Sequence, residues 1–209
     1  MSVLTNLKWR YATKRMNGQK VPAEKLENIL EAIQLAPTSI GLQPFTVIVV
    51  GDAEMRAKMA PAIYNQPQIT EGSHMLVFAA WTGYSKENVD KYINQIATLR
   101  GIPVESLDGM RNMAEGSIVG KTPEQLLNWN MRQAYIALGV GLVAAAVEQV
   151  DATPMEGFDP VALDAVLGLK EKGLHSTVIM TLGYRDAEKD YLNGAAKVRR
   201  SKDELFIRL

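Results

Sequence analysis

The chain has 209 residues, enough for one large domain with a core of its own. Its 23 basic and 23 acidic side chains give a formal net charge of +0, so no overall field draws it to nucleic acid or an anionic membrane, and any anion site must be local. Zero cysteines exclude disulfides, thiolate nucleophiles and iron–sulfur ligation, and suit a reducing, cytoplasmic compartment.

In chain order, residues 4–11 read as a short helix, followed by a basic turn at Gly18. Leu26, Ile29, Leu30 and Ile33 recur at helical spacing between Pro22 and the stop at Pro37, which predicts a helix over 22–36. Residues 38–44 form a loop. The β-branched run 45–50 has the pattern of a strand covered on both faces. A short helix over 53–60 and a buried strand over 75–81 follow. Ser85 is placed to cap a helix that ends at Gly101.

Residues 102–121 have weak periodicity and predict an irregular or mobile helical excursion. Thr122-Pro123-Glu124-Gln125 has the form of a capping box, launching a helix to about Gln149 rich in alanine and glycine. Its apolar run, 134–147, is shorter than the roughly 20 residues of a membrane span and reads as a buried helix. Residues 154–157 read as a turn. Asp159-Pro160 starts a helix ending near Gly168, and 176–182 is a third clear strand. The tail over 201–209 ends in Leu205-Phe206-Ile207, an apolar extended stretch. These elements predict a single α+β domain over 1–209, a mixed sheet covered by helices around a long central helix.

Few side chains offer chemistry of their own. Neither His74 nor His175 has a second ligand at zinc spacing, so no metal site is expected. Gly139-x-Gly141-x-x-Ala144 resembles a dinucleotide fingerprint, but it falls inside the long helix, where its glycines serve close packing. The cationic motifs are more promising. Arg10 and Lys14 are four apart and share a side on a helical turn; Lys197 and Arg199 are two apart and share a side in an extended segment. Three or four such charges converging on one point would hold a phosphate; the other reading is two unrelated solvated patches.

Taken in order, Arg10-x-x-x-Lys14, Pro37-Thr38-Ser39-x-x-x-Gln43-Pro44, Asn65, Gln133, Pro154-Met155-Glu156-Gly157-Phe158 and Lys197-x-Arg199 resemble the nitroreductase family of FMN-dependent oxidoreductases across nearly the whole chain. The resemblance implies an α+β homodimer with two FMN sites at the subunit interface, a C-terminal segment exchanged onto the partner's sheet, and a flap at 102–121 beside the substrate channel. It places Arg10, Lys197 and Arg199 on the FMN phosphate and Lys14 at the pyrimidine edge, with Tyr11 and Ala12 lining the same site. Thr38, Ser39, Gly41, Asn65 and Gln133 would contact the ring or ribityl chain. Pro154, Met155, Glu156 and Gly157 would cross one ring face, with the Glu156 N–H directed at flavin N5. No side chain then acts as a catalytic acid or base.

The implied activity is transfer of a hydride from NADH or NADPH through the flavin to a quinone, nitroaromatic or related acceptor, with Gln68, Met110 and Met113 near the substrate. Ala12 stands where many relatives have serine, Gly41 where asparagine is common, and Gln68 where some have lysine. These departures leave open a flavin-binding sensor or partner protein of the same fold with little turnover.

Overall fold

The structure, a computed structural model, describes residues 2–209. Helix α1 (Val3–Trp9) starts the chain, capped by the Ser2 hydroxyl. Helix α2 (Ala23–Gln34), strand β1 (Phe45–Val50) and the short helices α3 (Ala53–Met59) and α4 (Pro67–Glu71) follow. Strand β2 (His74–Trp81) leads to α5 (Lys86–Arg100), α6 (Asp108–Ile118) and the 25-residue α7 (Pro123–Val147). Strand β3 (Asp151–Met155), α8 (Pro160–Leu167), β4 (Leu174–Gly183) and α9 (Lys202–Leu205) complete the order.

The strands form one sheet in the order β1-β2-β4-β3. The α+β layering is as expected, but every pairing within the chain is antiparallel, where a mixed sheet was expected. Side chains alternate across the two central strands. Leu76, Phe78, Val178 and Met180 pack against Ile29 and Ile33 of α2 and Ala134 and Ala137 of α7. Met75, Val77 and Ile179 face the other way, onto Met59, Ile63, Ile69 and Leu163. The near-continuous apolar sequence of β2 is thus explained by helices on both faces.

Small residues decide how α7 sits. A Cβ at Gly141 would lie 2.9 Å from Ile33 Cγ1, so this glycine permits the close approach of α2. The helix is long and apolar enough by composition to cross a membrane, yet one side of it packs into the domain core. Its N-terminus carries the expected reciprocal Thr122/Gln125 capping box. Ser85 and Asn88 make the same arrangement at α5, and Gly101 closes that helix at φ 62°.

Several expectations need correction. Residues 108–118 are a regular helix rather than an irregular excursion. Leu107 and Ala114 are buried against Val89 and Ile93 of α5, and Arg111 pairs with Asp90. The weak periodicity arose because only one narrow stripe of α6 is apolar. Strand β1 is covered on both faces only in part: Phe45 and Val47 pack on one side and Ile48 and Val50 on the other, but it lies at the sheet edge beside β2 and Val49 is 41% exposed. Pro154 and Met155, read as part of a turn, instead end an edge strand over 151–155, where the N–H that Pro154 lacks costs no ladder bond on the open side. Helix α1 stops at Trp9, so Arg10 and Lys14 do not share a helical turn; Arg10 is extended, with ψ 142°. The tail contains a capped helical turn at Lys202–Leu205, and Leu205, Phe206 and Ile207 are exposed.

Candidate functional site

Both chain ends meet beside edge strand β3. Arg10, Tyr11, Ala12, Lys14, Pro154, Leu192, Ala195, Ala196, Lys197 and Arg199 line one cleft of about 340 Å³. Two unrelated patches are thereby ruled out. A local framework fixes this meeting. Asp151 is 2% exposed and holds Arg185 through both carboxylate oxygens. The Arg185 guanidinium in turn lies 4.4 Å from the Trp9 ring centroid and 4.5 Å from that of Tyr11.

The C-terminal wall attaches at two points. Asp190, buried, accepts hydrogen bonds from the Tyr11 hydroxyl, the Thr13 hydroxyl and the Lys14 N–H. Lys197 Nζ donates to the carbonyls of Leu7, Lys8 and Arg10. Those are the unsatisfied carbonyls at the end of α1, where a cation also meets the negative end of the helix dipole. All three ammonium protons of Lys197 are therefore engaged, and its charge acts on the cleft through space.

The cations gathered in the cleft repel one another. Burial, then the neighbouring Arg199, lowers the pKa of Arg10. Burial, then Arg10, Arg199 and Arg185, lowers that of Lys197. Arg10 donates to the Ala152 carbonyl at 3.2 Å, but its Nε is buried with no partner. A buried guanidinium N–H left in this way needs an acceptor.

The other expected residues form further groups. Ser39 N–H donates to Gln133 Oε1 at 2.8 Å, joining the loop after α2 to α7. Thr38 Oγ1 accepts from Gln43 N–H. Gly41 has φ 80°, and a Cβ there would collide with the Tyr92 hydroxyl, so packing accounts for the glycine. These residues do not line the 340 Å³ cleft. Asn65 sits in a left-handed turn at φ 51°. Beside it, Gln66 Nε2 donates to the Gly157 carbonyl at 2.7 Å, while Tyr135 on α7 donates to the Glu156 carboxylate. The turn is thus tethered at the Gly157 carbonyl and at the Glu156 carboxylate. Met155 is buried in the core under β3.

The three residues expected near substrate are scattered. Gln68 is 2% exposed and its Oε1 has no partner. Met110 packs against the α5–α6 cluster, and Met113 is exposed. Sequence reasoning missed Asp151, Arg185 and Asp190. The strand-like run through 183 followed by paired charges was the available signal, but nothing local says which carboxylate faces inward. His74 and His175 are engaged with Ser73 and Asp164. A larger hollow of about 820 Å³ lies by the stacked Trp81 and Tyr84 rings and is lined by none of the residues expected at the cofactor or substrate site.

Comparison with known proteins agrees with this layout. The model of the nitroreductase family matches residues 7–184. An oxygen-insensitive NAD(P)H nitroreductase of Salmonella typhimurium is 30% identical over 211 residues, covering 95% of each chain. The major NAD(P)H-flavin oxidoreductase of Aliivibrio fischeri is 28% identical, covering 98% of this chain and 97% of its own. Among solved structures, a nitroreductase-type protein of Exiguobacterium sibiricum in complex with FMN superimposes with TM-score 0.84 at 19% identity, covering 100% of this chain and 98% of that one. With the family pattern spanning most of its length and the fold matching throughout, the chain belongs to the nitroreductase family.

Proposed function

We propose that the protein is an FMN-dependent NAD(P)H oxidoreductase acting on quinones, nitroaromatics or related acceptors. The observation that carries this reading is the β3-edge cleft, where Arg10, Lys14, Lys197 and Arg199 converge and the buried Arg10 Nε lacks an acceptor. A phosphate monoester fits that deficit in charge and in acceptor atoms. Arg10 and Arg199 would supply the phosphate contacts, with Lys197 adding charge. Lys14, whose side chain enters no salt bridge among the described residues, would face the ring's pyrimidine edge and favour negative charge developing there. Bound FMN would supply hydride acceptance from NAD(P)H and delivery to the acceptor. Pro154 and the 156–157 turn, tethered at the Gly157 carbonyl and the Glu156 carboxylate, would orient one ring face and present the Glu156 N–H.

The Thr38–Gly41 loop and Gln133 lie apart from this cleft's lining. In a homodimer a second copy's loop and α7 would complete the site. The exposed apolar side of α7, including Ile136, Val143 and Val147, supports such a contact. The exposed edge of β1 gives the exchanged tail a place to pair.

The purified protein should be yellow, and NADH or NADPH should bleach it, with recovery on adding a quinone. Colourless protein that takes up no added FMN would overturn the proposal. Yellow protein that neither nucleotide bleaches rapidly would instead support a sensor.

A further inference from the structure

Asp190 lies beyond residue 184, where the family pattern ends, and has no part in the chemistry above. It is nevertheless among the most heavily bonded side chains in the molecule. One oxygen accepts from Tyr11 Oη at 3.0 Å, Lys14 N at 2.9 Å and the Thr13 hydroxyl; the other accepts from Leu192 N at 2.9 Å. The residues it joins are separated by up to 179 positions. They form the two walls of the cationic cleft.

We infer that Asp190 is the positioning residue that sets the cleft's width, and so the register of Arg10 and Lys14 toward the phosphate-bearing ligand; this rests on the FMN reading. The geometry assigns the task to a carboxylate. Three donors meet a single oxygen and a fourth meets its twin, so an acceptor is needed on both atoms. An amide offers only one. Lys197 fastens the same wall at residues 7, 8 and 10. The wall is therefore pinned on either side of Leu192, Ala195 and Ala196, which line the space between. Tyr11 bonds the carboxylate with its hydroxyl and stacks on Arg185 with its ring, linking the clasp to the Asp151 framework. A loosened clasp would displace the cations without removing any of them.

The test compares binding of FMN and riboflavin, which differ by the phosphate alone, in full-length wild type, Asp190→Asn, Thr13→Val and the control Asp186→Asn. Asp186 caps the same turn without bonding the 11–14 side chains. Wild type and the control should prefer FMN. Asp190→Asn should lose about tenfold of that preference, and Thr13→Val somewhat less. A general loss of stability would weaken both ligands alike and leave the ratio unchanged. If Asp190→Asn fails to fold, Thr13→Val decides. Variants that keep the wild-type ratio overturn the clasp while leaving the FMN reading in place. A wild type with no preference for FMN overturns both.

Discussion

Strands β3 and β1 are the two edges of one sheet, and they meet their surroundings differently. β3 is sealed by the chain ends: Asp151 anchors Arg185, Arg185 lies on Trp9 and Tyr11, and the wall carrying Asp190 and Lys197 closes over them. β1 has no such cover, and Thr46 and Val49 point into solvent. An exposed β-branched edge invites pairing with another chain. A sheet can therefore use one edge to build a site within the chain and keep the other for a neighbouring molecule.

The sharpest way to break this contrast is Asp151→Ala. It leaves Arg185 without its carboxylate beside a cationic cleft, and breaking a buried pair typically costs about 3–5 kcal/mol. Urea unfolding should show a large fall in midpoint. A fall below about 1 kcal/mol would mean that Arg185 finds other partners.

Acid should act on the same edge with a smaller effect. Burial alone would raise the pKa of Asp190, but the bonds from Thr13, Leu192, Lys14 and Tyr11 hold it below its ordinary 3.8. The stabilisation this provides is complete above that value and is lost as pH falls through the lower, folded-state value. Glu71, lowered from 4.5 chiefly by its bond from Arg15, has the same sign. Hydrogen exchange at 11–16 should stay slow at pH 5 and quicken near pH 3. Equal acceleration at β1 would show that the whole domain is opening.

The mildest change is Val49→Lys on β1. Within one chain it should shift stability by no more than about 0.5 kcal/mol. Sedimentation should show a weakened dimer if a partner's tail covers this edge, and no change if the edge is free.

The elements with strong local signals were legible in the sequence. The Thr122 capping box, the Ser85 cap, the glycine stops at Gly101 and Gly168, and the burial of β2 follow from residues adjacent in the chain. What escaped depends on neighbours distant in sequence. β1 and β2 have similar apolar runs, and only the sheet order makes one an edge. β3 has an aspartate and a proline, and its strand character comes from pairing with β4 and from Arg185. In the site, the ordered motifs identified Arg10, Lys14, Lys197 and Arg199. They did not reveal that Lys197 would use its protons on the end of α1.

The union of residues 7–14 with 190–199 also has a consequence for biogenesis. The first segment leaves the ribosome well before its mate is made; at usual translation rates the delay is roughly 10–40 s. During that interval Arg10 and Tyr11 have no wall to face, so on the proposed reading a nascent polypeptide would not load its prosthetic group. A product truncated before Asp190 would keep the sheet's hydrophobic pattern yet lack one wall of the cleft, leaving an easily opened N-terminus for proteases to find.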